Sequence, residues 1–283
     1  MQIVRSLPDL VAARTALATA KGGFALVPTM GALHAGHLSL VRAARESGLA
    51  VAVSIFVNPL QFGPNEDLAR YPRDEAGDLA LLRAEGCDLV WLPPVEAMYP
   101  PGDATTIDVG GPALAWEGAL RPGHFRGVAT VVAKLFGQMR PRLAFFGEKD
   151  WQQLQVIRRM VSDLLLPVEV RGVPVARDAD GLALSSRNRF LSPEERPRAP
   201  LLYAALRDVA DMVRDGAAAD APLHMARARL TDAGFDVNYL ALVHAESLCE
   251  ITHAVSPARL IAAARLGSVR LLDNVPVGDL PVI

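Results

Sequence analysis

Residues 49–56 form an apolar run broken only by Ser54, with no polar–apolar alternation, and a strand of that kind has to be covered on both faces. Shorter apolar runs stand at residues 24–27, 89–92 and 143–146, residues 168–173 complete the strand series, and a helical pattern separates each from the next. The alternation predicts a mostly parallel, doubly wound α/β sheet of Rossmann-like kind with right-handed crossovers. A chain of 283 residues, 51% hydrophobic and 21% charged, can bury such a core. Beyond Val173 the pattern changes. A polar, glycine-containing connection at 177–188 leads into helical patterns at 193–215 and 221–233 and short strand-like runs at 237–243, 260–264 and 269–272. These predict a smaller C-terminal α+β domain, so the expected boundary separates residues 1–175 from 176–283.

Punctuation supports the helices. Ser6 can cap a helix through Leu10, Ala13 and Leu17 that ends at Gly22-Gly23; a second ends at Gly48, and one over 73–85 is closed by Gly86. The stretch 93–123 is rich in proline and glycine, with one short strand expected at 105–109, and a strongly apolar helix follows at 128–139. A formal net charge of -2 gives no general attraction for nucleic acid or an anionic membrane. Arg5, Asp9 and Arg14 interrupt the first helical pattern, and no stretch has membrane-spanning length, so a cytoplasmic location is expected. Cys87 and Cys249 are far apart in apolar surroundings and read as buried reduced thiols.

Four polar stretches carry chemistry. Pro28-Thr-Met30-Gly31-Ala32-Leu33-His34-Ala35-Gly36-His37 follows a strand and opens a helix, where unpaired backbone N–H groups point outward and bind phosphate. Two histidines three apart share one face there and add side-chain donors; as an isolated pair they also read as ordinary turn and cap residues. The stretch 57–65, leaving the carboxyl end of the next strand, holds Asn58 and Gln61, neutral amides suited to a small hydroxylated acid, while Asn65 reads as a surface connection. Gly147-Glu148-Lys149-Asp150 puts a cation at another strand-to-helix switch, and Ser185-Ser186-Arg187 lies at the domain junction. Asp74, Glu75 and Asp78 read as a solvated helix face, with Asp78 as a candidate for a magnesium ion. His124 and Arg126 lie just before a helix, and the arginine is either a surface charge or an anion contact. Neither a Gly-x-x-x-x-Gly-Lys-Ser/Thr nor a Gly-x-Gly-x-x-Gly sequence occurs.

In this order and spacing, the 28–37 stretch, Ser54-Ile-Phe-Val-Asn58-Pro-Leu-Gln61-Phe, Gly147-Glu-Lys149-Asp150-Trp-Gln-Gln153 and Leu184-Ser-Ser-Arg187-Asn resemble the pantothenate synthetases (pantoate–β-alanine ligases). The His-x-Gly-His element alone marks only a superfamily shared with other nucleotidylyltransferases and class I aminoacyl-tRNA synthetases. The likeness covers nearly the whole chain. It implies ATP-driven condensation of (R)-pantoate with β-alanine through pantoyl adenylate, releasing pyrophosphate and AMP, with Mg2+, in a homodimer whose C-terminal domain closes over the ATP site. It further implies that Met30, Gly31, Ala32, Leu33, His34, Ala35, Gly36, His37, Gly147, Glu148, Lys149, Asp150, Ala176, Leu184, Ser185, Ser186 and Arg187 hold ATP. Gln61 and Gln153 would hold pantoate, with Asn58 beside them. His34, His37, Lys149, Ser185, Ser186 and Arg187 would stabilise the charge spread over phosphoryl group and leaving pyrophosphate. Trp151 departs from the Phe or Tyr usual in the family, and only Asp78 matches a metal contact proposed in some relatives, so the protein ligands of the metal stay open. Two rivals remain at this point. An adenylyltransferase acting on a phosphate predicts a cation where this chain has Gln61 and Gln153. A nucleotide-sensing module predicts no second small-molecule site.

Overall fold

The computed structural model describes residues 1–63 and 68–278, so Asn65 lies outside the described residues. The chain divides into two compact units, Met1–Glu148 with Gln152–Pro174, and Lys149–Trp151 with Val175–Ile283.

The first unit is built on six parallel strands. In chain order its elements are β1 (Gln2–Val4), α1 (Leu7–Lys21), β2 (Phe24–Thr29), α2 (Ala35–Glu46), β3 (Ala50–Ile55), α3 (Glu75–Ala84) and β4 (Leu89–Trp91). Two short helices follow, α4 (Val95–Met98) and α5 (Glu117–Leu120), then α6 (His124–Met139), β5 (Leu143–Gly147), α7 (Trp151–Asp163) and β6 (Glu169–Val173). The strand order is β1-β4-β3-β2-β5-β6, and every pairing is parallel. From β2 the chain builds outward to one edge, then returns to the other side of β2 to lay down β5 and β6. The switch point therefore falls between the carboxyl ends of β2 and β5, where doubly wound sheets bind ligands. One face of the sheet, through Ala25, Val27, Val51, Val53 and Val90, is covered by Leu40, Val41 and Ala44 of α2 and Leu79 and Leu82 of α3. Strand alternation turns Leu26 and Ala52 the other way, and both are fully buried; α1 packs on β2 and α6.

The second unit contains α8 (Leu201–Arg214), α9 (Asp220–Asp232), β7 (Phe235–His244), β8 (Ala258–Leu266) and β9 (Val269–Pro276). The strands form an antiparallel sheet in that order. Leu202, Leu206, Val209 and Val213 of α8 and Leu230 of α9 pack on Leu242, Leu260, Ala262 and Leu271 of the sheet.

Several expectations are corrected. Residues 105–109 form no strand; Ile107 N instead donates to Thr130 Oγ1 at 2.9 Å, tying the segment to α6. The helix expected from 193 begins at Leu201, because Pro193, Pro197 and Pro200 limit the preceding residues to turns. The helix expected from 128 starts four residues earlier, at His124, behind a left-handed Gly123. Cys249 is exposed, whereas Cys87 is buried. Among the described residues, no helix is long and apolar enough to cross a membrane.

Candidate active site

In the first unit the centre of the site is the turn between β2 and α2. Gly31 and Ala32 both take left-handed backbone conformations, with φ of 80° and 51°. A Cβ on Gly31 would stand 2.9 Å from Asp78 Oδ2, so glycine is needed there for space as well as for φ. Asp78, from α3, accepts Ala32 N at 2.9 Å on one oxygen and Leu33 N at 2.7 Å on the other. It is buried, not part of a solvated face. Burial raises its pKa above the usual 3.8, opposed by the two amides and reinforced by the Asp74 charge. Thr29 adds a third tie, donating to Ser54 O at 2.8 Å while accepting Gly31 N at 3.3 Å.

His34 and His37 close the start of α2 reciprocally. Gly36 N donates to His34 Nδ1 at 3.1 Å, His34 N donates to His37 Nδ1 at 3.3 Å, and the arrangement is a capping box built from two imidazoles. The rings lie 4.1 Å apart, centroid to centroid. Cap and chemistry are compatible because they use different atoms. An Nδ1 that accepts an N–H carries no proton, so in the neutral ring the proton sits on Nε2, and each ring has a donor at its outer nitrogen. These N–H groups stand at the positive end of a helix at the switch point, an arrangement that attracts phosphate oxygens.

Gln61 belongs to the short turn Pro59–Gln61 that leaves β3. Asn58 Nδ2 donates to Gln61 Oε1 at 3.1 Å and to Gly127 O at 3.1 Å, and Asn58 Oδ1 accepts Tyr99 Oη at 2.7 Å and Leu60 N at 3.3 Å. All four hydrogen-bonding capacities of this buried amide are in use. With its oxygen held, Gln61 turns its NH2 toward Met30, 2.9 Å from Sδ. Burial pushes the Tyr99 phenol pKa well up, which keeps it a donor. His124 Nδ1 lies 2.9 Å from Gln61 O, and Arg121 Nη2 donates to the same oxygen at 3.4 Å. His124 is thus a backbone anchor of this turn. Arg126 is exposed and forks Asp108 at 2.7 and 3.0 Å, the surface-charge alternative. On α7, Gln152 is spent on Pro112 O, Ala115 O and Glu117 N, while its neighbour Gln153 is half-buried. Gly147 ends β5, the strand beside β2, and Glu148 opens the turn that follows.

The second unit carries the remaining candidates. Lys149 forms a loose ion pair with Asp150 at 3.7 Å. Trp151 Nε1 donates to Ala245 O at 2.7 Å, a bond for which Phe has no donor, and the Arg259 guanidinium lies 3.4 Å from the indole centroid. The connection after β6 folds back on itself. Leu184 N donates to Ala176 O at 2.9 Å and Arg177 bridges Ala183, which delivers Ser185 as the cap of Ser186–Phe190. Ser185 Oγ accepts Arg187 N at 3.3 Å. Arg177 grips Asp273 with two bonds, at 2.6 and 2.8 Å, and lies 3.6 Å over the Tyr203 ring.

Among the described residues, no group of three or more His, Cys, Asp or Glu gathers to hold a metal ion. Asp78, the one matched metal candidate, has both oxygens taken by amides. Sequence reasoning missed Tyr99, Gly127 and Asn274. Their partners lie 41 residues away for Tyr99, 69 for Gly127 and 125 for Asn274, with no local pattern to mark them.

The profile of the family described as Pantoate-beta-alanine ligase matches residues 2–276. A pantothenate synthetase of Acidiphilium cryptum is 62% identical over 98% of this chain and 100% of its own. The crystal structure of a Thermus thermophilus pantothenate synthetase is 51% identical and superimposes with a TM-score of 0.93, covering 99% of this chain and 100% of that one. A Francisella tularensis pantoate-beta-alanine ligase, solved in complex with β-γ ATP and β-alanine, is 32% identical with a TM-score of 0.82, over 98% of each chain.

Proposed function

We propose a division of labour among the residues of a chain that belongs to the pantoate-beta-alanine ligase family. As a member it is an ATP-dependent ligase that joins pantoate to β-alanine to give pantothenate. In our reading a pantoate carboxylate oxygen attacks the α-phosphorus of ATP. The new P–O bond forms as the bond to the bridging oxygen breaks, and pyrophosphate leaves with that electron pair. The β-alanine amine then attacks the acyl carbon of pantoyl adenylate, AMP departs, and the amine nitrogen gives up a proton.

The reciprocal histidine cap at the switch point carries this reading. Neutral His34 and His37 offer Nε2–H to phosphate oxygens, and the α2 N-terminus adds its dipole. We assign His37 the task of stabilising charge on the leaving pyrophosphate rather than giving it a proton. Met30 to His37, with Gly147 and Glu148, are the nucleotide contacts of the first unit. Lys149, Asp150, Ala176, Leu184, Ser185, Ser186 and Arg187 are those of the second, Lys149 and Arg187 contributing positive charge. Gln61 and Gln153 hold pantoate. Asn58, with its capacities filled, orients Gln61. Gln61 presents a neutral NH2 to an acid, which suits a carboxylate better than the phosphate of the rival adenylyltransferase. Mg2+ in this reading arrives with ATP and is held by phosphate oxygens, since the described residues do not make a protein cage for it. The protein works as a homodimer in the cytoplasm, without nucleic-acid or membrane partners.

Isotope exchange between pyrophosphate and ATP tests the route. Exchange with pantoate present and β-alanine absent is the expected result; an absolute need for the amine would replace the free adenylate with a concerted step. In the same assay, a histidine ionisation in the pH profile that disappears in His37→Gln would overturn the charge-stabilising role.

A further inference from the structure

Lys149 follows β5 in sequence, yet its backbone is held by the antiparallel sheet of the second unit. Asn274 Nδ2 donates to Lys149 O at 3.0 Å. Two residues on, Trp151 is fixed by the Ala245 carbonyl and by the stacked Arg259, whose Nη1 in turn bonds Asn274 Oδ1. The preceding residue of β9, Asp273, takes the bidentate fork of Arg177, and its Oδ1 also accepts Asn274 N at 2.7 Å. Adjacent strand residues point to opposite faces of a sheet. One dipeptide of β9 therefore secures the Lys149 segment on one face and the root of the 176–187 connection on the other.

This polar cluster is buried. Arg259, Asp273 and Asn274 are 6%, 5% and 3% exposed, in a unit whose remaining core is apolar. A buried ion pair is poor value for stability alone, because well-packed apolar groups of similar volume serve as well or better. What it supplies is fixed geometry for the backbone it touches. We propose that Asp273 and Asn274 are positioning residues for the nucleotide site: Asn274, braced by Arg259 and Trp151, sets the place of Lys149, and Asp273, through Arg177, sets the segment leading to Ser185, Ser186 and Arg187. The inference rests on the proposed role of Lys149 and Arg187 toward ATP.

A double-mutant cycle in the whole protein tests it. Asn274→Asp keeps the side-chain shape and an oxygen for Arg259 but removes the donor to Lys149 O. A misplaced catalytic group costs up to about a hundredfold for a shift of about 1 Å. Asn274→Asp is therefore expected to lower kcat/KM for ATP by about ten- to hundredfold in pantoate-dependent pyrophosphate exchange, with half-saturating pantoate changed less than about twofold. In a Lys149→Ala background the same substitution should add less than about threefold, as required when one residue acts through the other. Leu271→Ala, a core change in the same strand, should lower the thermal midpoint and leave the ATP constants of the folded protein unchanged. Additive losses in the cycle, or an ATP defect reproduced by Leu271→Ala, overturn the inference. If Asn274→Asp does not fold, Asn274→Ala enters the same cycle. Absence of pantoate-dependent exchange in the unaltered protein would set aside the free-adenylate route instead, and calorimetric ATP binding by the same proteins would still decide the inference.

Discussion

Gly127→Ala adds one methyl group to α6, and its consequences follow from three distances. An ideal Cβ at Gly127 would stand 2.3 Å from Leu60 O, 2.5 Å from Leu60 C and 2.7 Å from Gln61 N. All three are backbone atoms, so no rotamer change can relieve them. Moving the nearest contact from 2.3 Å to 3.0 Å, below which real Cβ contacts essentially do not occur, demands a retreat of about 0.7 Å by the Pro59–Gln61 turn or by α6. The same retreat stretches the 3.1 Å bond from Asn58 Nδ2 to Gly127 O beyond hydrogen-bonding range and shifts the amide that Asn58 holds on Gln61. Helix propensity acts the other way, since alanine favours a helix interior over glycine by about 1 kcal/mol. Overpacking costs about 1–3 kcal/mol and the unsatisfied amide of buried Asn58 about 1–3 kcal/mol more, so net stability should fall by about 1–5 kcal/mol. Activity should fall as well. With Gln61 displaced by most of an ångström, kcat/KM for pantoate is expected to drop by about ten- to hundredfold while half-saturating ATP barely moves. Steady-state kinetics with each substrate varied in turn, alongside a thermal melt, measure both effects. Wild-type kcat/KM for pantoate in a folded Gly127→Ala protein would refute the argument, for it would mean that the turn yields without carrying Gln61 along.

Asp78→Asn should alter the pH dependence of stability in a defined direction. Because burial raises the native pKa above 3.8, the native state binds the proton more tightly than the unfolded chain. The unaltered protein therefore loses stability relative to Asp78→Asn as pH rises from below 3.8 through the native value, and the difference is constant above it. Urea midpoints of both proteins from pH 3 to 7 read this, and a difference that moved the other way would contradict the assignment. Cys87 is buried, with its thiol pushed up to about 12, whereas Cys249 is exposed. Iodoacetamide at pH 8 should label Cys249 in the native protein and both cysteines in denaturant; rapid native labelling at Cys87 would count against the fold of the β3–β4 region. Arg177→Ala leaves Asp273 buried without its bidentate partner and should destabilise the protein by about 3–5 kcal/mol, a loss that denaturant unfolding would detect and that a result under about 1 kcal/mol would disprove.

The order of strands and helices was readable because covering a parallel sheet on both faces leaves a coarse mark: runs such as 49–56 are too apolar for any other place, and glycines close the helices between them. β1 escaped notice because its three residues include only one that is buried, Val4, and its pairing with β4 is made across 87 positions. Residues 105–109 differ for the opposite reason, since the backbone of this β-prone segment bonds α6 through Ile107 N instead of a neighbouring strand. At the site the distinction is sharper. His34 and His37 are three apart in capping-box register, so both the cap and the proposed donor pair are visible in sequence, and the structure adds that the cap uses Nδ1 of both rings. Asp78 reads as a solvated face or a magnesium candidate because a carboxylate early in a helix is ambiguous until its partners are known; burial and two amides 45 and 46 residues away show it bracing the β2–α2 turn. Lys149 was recognisable as a cation at a strand end, but the anchors of its segment come from Ala245 and Asn274, 94 and 125 positions beyond their partners. Residue type and local spacing thus mark the groups proposed to meet substrate, since that chemistry restricts the residue itself. The groups that hold them in place are restricted only by geometry, and geometry of that range is written in no short stretch of sequence.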